Sequence, residues 1–357
     1  MTITKLARPE IRALKPYEAA VQIDDTIRLN ANEAPWPNSV DHFARPLNRY
    51  PEIRPVALHA ALAKRFGCDP QQLLATRGTS EAIDLLIRAF CRAGVDNIVT
   101  TTPTFSMYQH YAEVQGATLR RVSTSRNNNF AISVDAILST CDDSTRLIFI
   151  CSPNNPTGTV LPRSTLIELL EQRGERSVIV IDEAYIEFSD ELSATELMST
   201  YGNLVVLRTL SKALAFAGAR CGVVIGPIEV IQMLDAIQAP YAFATPVVEC
   251  VLEALQEGPM NEVDESVQRI IVERDRVMGA LRQFQFVLKV WPSAANFILV
   301  QLGNVEQLLQ QSRHDNVLLR YFGGDLADCV RISVGSPEEN DRLLQMFEAT
   351  RDQPDDD

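Results

Sequence analysis

Between about residues 76 and 226, short apolar segments alternate with longer segments that carry their apolar residues on one helical face. Continuously apolar segments are typical of strands that are buried on both faces. The five expected strands are "NIVTT" (97–101), "RLIFIC" (146–151), "SVIVID" (177–182), "NLVVLR" (203–208) and "CGVVIG" (221–226). Helical periodicity occurs in 80–92 and 164–173. The pattern therefore predicts an α/β fold whose mostly parallel sheet is covered by helices.

The pattern changes after Pro246. The segments that follow are a long charged helix pattern (262–284), the apolar runs "ANFILVQL" (295–302) and "VRISVG" (330–335), and a closing helix near 337–350. They indicate a smaller α+β domain. We therefore expect an N-terminal arm (1–45), a large domain (46–245) and a small C-terminal domain (246–357).

Composition narrows the possible partners and the compartment. A formal net charge of -13 argues against binding to nucleic acid, whose phosphates would be repelled. The seven cysteines lie far apart without a C-x-x-C pair, which favours a reducing, cytoplasmic location over a disulfide framework. The four histidines lack metal-ligand spacing, so we expect no metal. No apolar run approaches membrane-spanning length, so we expect no membrane partner.

One lysine stands in an unusually apolar setting. Lys212 lies in "TLSKALAFAGARCG" (209–222), where no acidic residue is nearby. Such surroundings would draw the side chain toward an apolar wall, although an ammonium group normally stays in water. Lysines that form Schiff bases use such settings, because a desolvated amine loses its proton more easily. The alternative is a lysine that extends from a short helix into solvent.

Polar residues follow three of the expected strands. Asn155 follows 146–151 in "SPNNPTG", Asp182 and Tyr185 stand in "DEAYIEF", and Ser211 and Lys212 end "TLSK". Taken singly, Asn-Pro-Thr-Gly is ordinary turn chemistry and Asp after a strand is a common helix cap. Because ligands of open parallel sheets bind at the carboxyl ends of strands, the coincidence predicts one common site.

A fourth cluster has the character of an anion site. Gly78, Thr79 and Ser80 precede or begin the helix 80–92, where free backbone N–H groups and the helix dipole favour an anion. Arg220 offers a guanidinium fork to the same anion. A plain helix cap and a surface ion pair are the alternatives. Phe105 is placed to stack on a flat ligand, with ordinary core packing as its alternative.

These residue types together match pyridoxal 5′-phosphate (PLP). A lysine would bind it covalently, an Asp carboxylate would keep its pyridine nitrogen protonated, and Asn and Tyr would hydrogen-bond its ring hydroxyl. The phosphate would lie in the cradle that precedes the helix 80–92. The sequence therefore predicts a PLP-dependent enzyme.

Longer motifs carry a family resemblance. They are "ITKLARPEIRALKPY", "LNANEAPW", "LNRYPE", "LIRAFC", "CSPNNPTG", "DEAYIEF", "LRTLSKALAFAGARCG", "APYAFATPV" and "CVRISVG". From the N-terminus to about residue 335, the chain resembles the fold-type I PLP-dependent aminotransferases, and among them the histidinol-phosphate aminotransferase family. The resemblance implies the PLP-dependent transferase fold of type I.

The resemblance also implies roles at the cofactor. Lys212 would be the Schiff-base lysine and proton shuttle, and Asp182 would pair with the pyridinium nitrogen. Asn155 and Tyr185 would hold the ring oxygen. The phosphate would be bound by Gly78, Thr79, Ser80, Ser211 and Arg220. Tyr50 would reach that phosphate from the neighbouring subunit of a homodimer.

For the substrate, the resemblance implies that Arg331 binds a carboxylate and that Tyr17, Asn32 and Arg320 line the pocket. Two positions depart from the family pattern. Phe105 stands where relatives commonly have Tyr, and Ser80 stands where they usually have Asp. The segment "LLRYFGGDLADCVR" is also short, which bears on the role of Arg320.

The implied reaction moves an amino group between L-histidinol phosphate and 2-oxoglutarate, giving imidazole acetol phosphate and glutamate, in histidine biosynthesis. Three alternatives share this fold. They are an aromatic amino-acid aminotransferase, a threonine-phosphate-type PLP decarboxylase, and a non-catalytic regulator. Product analysis separates the first two, because one exchanges an amino group and the other releases carbon dioxide.

Overall fold

The computed structural model of the chain describes residues 3–17, 20, 22 and 26–351. The described residues form two sheets, one of seven strands and one of four. Outside the described residues lie parts of the predicted arm (1–2, 18–19, 21 and 23–25) and the end of the predicted small domain (352–357).

The larger sheet is mostly parallel. Its strands are β1 (Leu73–Thr76), β2 (Asn97–Thr102), β3 (Thr118–Ser123), β4 (Thr145–Cys151), β5 (Val178–Asp182), β6 (Leu204–Thr209) and β7 (Gly222–Ile225). The strand order is β1-β7-β6-β5-β4-β2-β3. Strands β3, β2, β4, β5 and β6 pair in parallel, whereas β7 is antiparallel to both β6 and β1. The five predicted strands are present with bounds within one residue, and the mostly parallel sheet is confirmed.

Helices of the described residues cover this sheet and the smaller one. They are α1 (Pro9–Arg12), α2 (Val56–Phe66), α3 (Gly78–Phe90), α4 (Met107–Gln115), α5 (Val134–Thr140), α6 (Arg163–Arg173), α7 (Ile228–Ile237), α8 (Thr245–Ala254), α9 (Glu257–Leu281), α10 (Val305–His314) and α11 (Pro337–Arg351). Short 3-10 helices lie at Ile3–Leu6, Pro70–Gln72, Arg126–Asn128, Gly174–Arg176, Ile186–Phe188, Ala194–Leu197 and Ala217–Ala219.

The two faces of the larger sheet bury separate cores. Leu147 and Phe149 of β4 pack on one face in a cluster that includes residues of α3, α4 and α7. Ile148 and Ile150 of the same strand pack on the other face with residues of α5 and α6. Because successive side chains of a strand point to opposite faces, a strand covered on both sides must be apolar throughout. This explains the continuous apolar runs of the sequence.

The smaller sheet is antiparallel. Its strands are β8 (Val287–Val290), β9 (Phe297–Leu302), β10 (Arg320–Gly323) and β11 (Leu326–Ser333), in the order β10-β11-β9-β8. Its core contains Val277 of α9, Leu308 of α10 and Phe347 of α11. The α+β character expected for this part of the chain is therefore confirmed. The boundaries predicted between arm, large domain and small domain stay predictions.

The reversed direction of β7 determines where its first residues lie. Gly222 of β7 pairs with Thr209 at the carboxyl end of β6 and with Thr76 at the carboxyl end of β1. The N-terminal end of β7 therefore meets the carboxyl ends of its neighbours at one edge of the sheet. Arg220, which precedes β7, is brought beside Gly78, which follows β1.

Candidate active site

A cavity of about 650 Å³ lies at this edge of the larger sheet and reaches the smaller sheet. Twelve of the predicted site residues line it, namely Gly78, Thr79, Ser80, Phe105, Asn155, Asp182, Tyr185, Ser211, Lys212, Arg220, Arg320 and Arg331. Six further lining residues were not predicted from the sequence, namely Thr104, Ser106, Cys151, Ala184, Thr209 and Phe322. The polar residues that follow separate strands therefore share one site.

Three predicted residues are absent from the described lining of this cavity. Tyr17 is 61% exposed, and Asn32 has a left-handed backbone with φ 55°. Tyr50 is 51% exposed, stacks on Tyr241 with ring centroids 4.7 Å apart, and lines a second cavity of about 530 Å³. The roles predicted for these three residues stay predictions.

The cradle for an anion is built at the start of α3. This helix begins at Gly78, and the side chain of the preceding residue, Arg77, makes no capping hydrogen bond. Thr79 and Ser80 occupy the first turn, where backbone N–H groups lack partners within a helix. Such a helix start attracts a phosphate through its N–H groups and its dipole.

Arg220 completes the cradle through a close contact that only glycine allows. A Cβ atom at Gly78 would lie 2.7 Å from Nη2 of Arg220, and Gly78 has a φ of +73°. A Cβ atom at Gly222 would lie 3.0 Å from the backbone of Gly78. The guanidinium therefore lies directly against the start of the helix, where both groups can bind one phosphate. The cradle fits the phosphate of PLP.

Asp182 is a buried carboxylate at the end of β5. It is 2% exposed, and burial raises its pKa from the ordinary 3.8 to about 6. The Tyr108 hydroxyl donates to Oδ2 at 2.9 Å and the Ala184 N–H donates to Oδ1 at 3.2 Å. These hydrogen bonds and the Lys212 ammonium lower the pKa and oppose the effect of burial. A buried carboxylate at this edge fits a protonated ring nitrogen.

Lys212 differs from the sequence expectation in its exposure. Its neighbours Leu210, Ala213 and Leu214 are buried, but the Lys212 side chain itself is exposed to the open cavity. The Nζ atom lies 5.6 Å from the centroid of the Tyr185 ring. Partial burial lowers the pKa of the amine, the positive charges of Arg331 and Arg220 lower it further, and Asp182 opposes them. The lysine therefore faces the open cavity beside the Tyr185 ring, and two arginines and Asp182 affect its charge.

Asn155 links the two sheets. Its Nδ2 donates to the hydroxyl of Tyr185 at 3.4 Å, and its Oδ1 accepts from Nη1 of Arg331 at 2.5 Å. Burial raises the pKa of Tyr185 and lowers that of Arg331. Among the described residues, no hydrogen-bond partner reaches the buried Nε of Arg331. The Arg331 guanidinium therefore retains hydrogen-bonding capacity.

An aromatic ring lies close to both arginines of the smaller sheet. The Phe322 ring centroid lies 5.4 Å from Cζ of Arg320 and 5.7 Å from Cζ of Arg331. The Phe297 ring lies 5.2 Å from Cζ of Arg331. These distances allow cation–π attraction, which holds guanidinium groups in place without neutralising them. Both charges remain available to anions in the cavity.

Phe105 lines the cavity and is partly buried. Its ring meets the edge of the Tyr108 ring at 5.8 Å. Tyr108, like the lining residue Phe322, was not predicted from the sequence. Tyr108 follows Phe105 by three residues, and Phe322 follows Arg320 by two, so proximity to the predicted residues was the available indication.

Neither a metal cluster nor a membrane-spanning helix occurs among the described residues. Among the described residues, no group of three or more His, Cys, Asp or Glu side chains is arranged to hold a metal ion. The described helices include none that is both long and apolar enough to cross a membrane.

Comparison with known proteins identifies the family. The model of the family "Aminotransferase class I and II" matches residues 25–347. A histidinol-phosphate aminotransferase of Stenotrophomonas maltophilia is 38% identical over 355 residues, which cover 98% of this chain and 97% of that protein. A histidinol-phosphate aminotransferase of Vibrio vulnificus is 40% identical over 344 residues, which cover 95% and 97%.

Solved structures share the fold. The histidinol-phosphate aminotransferase of Clostridium acetobutylicum is 25% identical with a TM-score of 0.77, over 85% of this chain and 91% of that one. The enzyme of Sinorhizobium meliloti, solved in complex with PLP, has a TM-score of 0.78 at 23% identity, over 85% and 83%. The predictions of the fold-type I fold, the PLP cofactor and aminotransferase activity are confirmed. The chain belongs to the class I and II aminotransferase family and, within it, to the histidinol-phosphate aminotransferases.

Proposed function

We propose that this enzyme transfers an amino group between L-histidinol phosphate and 2-oxoglutarate, giving imidazole acetol phosphate and glutamate, as a step of histidine biosynthesis. The observation that carries the proposal is the pair of guanidinium groups, Arg320 and Arg331, which face the same cavity as Lys212. A guanidinium fork binds a phosphate ester or a carboxylate equally well in geometric terms. The names of the relatives support the same substrate.

The residues at the sheet edge would hold the cofactor. Gly78, Thr79, Ser80, Ser211 and Arg220 would bind its phosphate, with Tyr50 of a second copy of the chain reaching the same group. Asp182 would accept the hydrogen bond of the ring nitrogen, and Asn155 and Tyr185 would bind the ring hydroxyl. Phe105 would lie against the ring face. When bound, PLP supplies an electron sink that stabilises negative charge on the substrate carbon that loses its proton.

Lys212 would move that proton. Its lowered pKa favours the neutral amine, so Nζ can accept a proton from the substrate carbon and return it elsewhere. Partial burial favours the neutral form, Arg331 and Arg220 favour it further by repulsion, and Asp182 opposes them. The same residue would anchor the cofactor between turnovers.

Arg331 would bind the substrate anion in both half-reactions. The anion is the phosphate ester of histidinol phosphate in one half and a carboxylate of glutamate or 2-oxoglutarate in the other. Arg320 would assist with the doubly charged phosphate. Tyr17 and Asn32, which lie outside the described lining of the cavity, would line the substrate pocket as well.

We further propose a homodimer located in the cytoplasm, with the arm at 1–45, the large domain at 46–245 and the small domain at 246–357. The arm carries four exposed apolar side chains, which supports the proposal that a partner covers this part of the arm. They are Ile27, Leu29, Trp36 and Val40. Leaving these four side chains in water would be unfavourable. A second copy of the chain would cover them and would bring its Tyr50 to the cofactor phosphate.

The half-reaction of the purified, PLP-loaded enzyme with L-histidinol phosphate tests the proposal. We expect the cofactor absorption to change to that of the amine form and imidazole acetol phosphate to appear, without carbon dioxide. 2-Oxoglutarate should then restore the original spectrum. Phenylalanine and L-threonine phosphate are the comparison substrates. A higher kcat/KM for phenylalanine, or release of carbon dioxide, would contradict the proposal.

A further inference from the structure

Tyr108 makes a direct contact with the carboxylate of Asp182. Tyr108 lies in α4, is 0% exposed, and donates its hydroxyl hydrogen to Oδ2 of Asp182 at 2.9 Å. Its ring stacks on Phe149 of β4, with centroids 5.0 Å apart and planes 18° apart. The edge contact with Phe105 restrains it from a second side. The hydroxyl is therefore fixed in position.

The surroundings of Asp182 leave few groups that can stabilise its charge. The titratable or charged side chains that face it are Tyr108 from α4, Cys151 from β4, and Tyr185 and Lys212 from the loops after β5 and β6. The Cys151 thiol donates to the carbonyl of Pro153 at 3.3 Å. Within the described part of the chain, the side-chain hydrogen bond recorded on Asp182 comes from Tyr108.

We propose that Tyr108 is a positioning residue that keeps Asp182 ionised and directs its carboxylate toward the ring nitrogen of the cofactor. The inference rests on the cofactor contacts given under the proposed function. Two donors, the Tyr108 hydroxyl and the Ala184 N–H, hold the two oxygens of Asp182, which fixes the orientation of the carboxylate. A carboxylate held in this way can share the proton of a ring nitrogen without rotating.

The charge of Asp182 depends on this hydrogen bond. A buried carboxylate takes up a proton unless hydrogen bonds or positive charges favour its ionised form. Burial raises the pKa of Asp182 from 3.8 to about 6, and the hydrogen bond from the Tyr108 hydroxyl is the largest of the effects that oppose this rise. Without that hydroxyl the pKa of the carboxyl would rise further, and the carboxyl would compete more strongly for the proton of the ring nitrogen. Burial and Asp182 raise the pKa of Tyr108 itself, so it stays a neutral donor.

Tyr108→Phe tests the inference in the PLP-loaded enzyme, because it removes the hydroxyl and keeps the ring. The first measurement is the NMR shift of ¹⁵N-labelled PLP, which reports whether the ring nitrogen carries its proton. We expect loss of that proton at a pH lower by about one unit than in wild type. Tyr201→Phe is the matched control, since the Tyr201 hydroxyl donates to Glu171 at 3.0 Å and its ring packs with the core on the other face of the sheet.

The second measurement separates positioning from structural support. We expect kcat of Tyr108→Phe to fall roughly 10- to 100-fold, the effect of losing a hydrogen bond to a charged group, with KM nearly unchanged. In an Asp182→Asn background, Tyr108→Phe should have little further effect, because the charge it stabilises is absent. An equal loss in both backgrounds would overturn the inference.

The nitrogen resonance is recorded without substrate, so its outcome is independent of which amine the enzyme uses. An unchanged resonance in folded Tyr108→Phe would overturn the inference and leave the proposed function intact. If the variant holds no cofactor, the test is the pKa of Asp182 in the apoenzyme, measured by ¹³C NMR in the variant and in wild type. A pKa above that of wild type supports the inference, and an unchanged pKa overturns it.

Discussion

Nη1 of Arg331 lies 2.5 Å from Oδ1 of Asn155, so an arginine of the smaller sheet is bonded to an asparagine that follows β4 of the larger sheet. Asn155 also donates to Tyr185 at 3.4 Å. A residue proposed to touch the cofactor ring thus holds the guanidinium proposed to bind the substrate. The two binding functions are coupled through one amide side chain.

Asn155→Asp should therefore damage substrate binding more than Asn155→Ala. The new carboxylate would form an ion pair with Arg331 and compete with the substrate anion, whereas alanine leaves the guanidinium free. We expect KM for both substrates to rise at least about tenfold further in the aspartate variant, a cost of about 1.4 kcal/mol. Steady-state kinetics with both substrates measure this. Equal KM values in the two variants would contradict it.

Lys212→Ala should fold and bind PLP but turn over almost nothing, since one amine serves as anchor and proton carrier. Lys212→Arg should be equally inactive, because a guanidinium neither bonds covalently to the cofactor nor gives up its proton. Turnover is measured with L-histidinol phosphate and 2-oxoglutarate, and circular dichroism controls for folding. Retention of even about a tenth of wild-type turnover, a loss of only ~1.4 kcal/mol, would refute the assignment.

Arg331→Ala should weaken both half-reactions, and Arg320→Ala should weaken mainly the one with histidinol phosphate. Losing a desolvated, bidentate ion pair costs roughly 2–5 kcal/mol of binding free energy, and we expect a loss of this size in transition-state binding for Arg331→Ala. The Arg320 side chain is exposed, so its contribution is smaller and depends on salt. The measurement is the ratio of kcat/KM for histidinol phosphate and glutamate in each variant. A constant ratio in Arg320→Ala would exclude a phosphate-specific role.

Asp182→Asn should make the cofactor-free protein more stable at neutral pH. The pKa of Asp182 is raised from 3.8 to about 6 by burial, so the folded state favours the protonated carboxyl. As the pH falls from above 6 to below 3.8, the free energy of unfolding of the wild-type apoenzyme should therefore increase relative to that of the variant. The difference in free energy of unfolding at pH 7 should approach about 3 kcal/mol. Denaturant titrations of both apoproteins across this range test it, and a difference independent of pH would contradict it.

Gly78→Ala should lower the affinity for PLP at least about tenfold, because its Cβ would displace the Arg220 guanidinium from the cradle. Gly67→Ala is the matched control. Gly67 has a φ of +65° but no atom within 4 Å of its would-be Cβ, so alanine there costs only the backbone strain, about 1 kcal/mol of stability. Cofactor titration and thermal unfolding separate the two effects. Equal PLP affinities in the two variants would count against the cradle.

The sequence predicted those site residues that follow parallel strands, because ligands of open parallel sheets bind at the carboxyl ends of the strands. Asn155 follows β4, Asp182 ends the neighbouring strand β5, and Lys212 follows β6, so their meeting at one edge required only the strand assignments. Arg220 reaches the same edge because β7 is antiparallel, a direction that an apolar run does not reveal. The guanidinium fork that it offers to an anion, rather than the strand pattern, indicated that residue in the sequence.

Other features depended on tertiary packing. Strand β3 was missed because it lies at the edge of the sheet and carries the polar sequence "TLRRVS". Tyr108 was missed because helical periodicity predicts burial of a residue and not the identity of its partner, here Asp182. Lys212 was expected against an apolar wall, but its place in a turn leaves the side chain open to the cavity.

The pairing of β1 with β7 has a consequence for the order in which the chain is made. β1 ends at residue 76, and β7 begins at residue 222. A ribosome therefore releases β1 and the start of α3 long before the strand that holds them in the sheet exists. Contacts between such distant segments form late, because the chain entropy of the intervening loop must be lost first. The phosphate cradle needs Gly78 from one side of this interval and Arg220 from the other, so PLP cannot assist the folding of the early strands during synthesis.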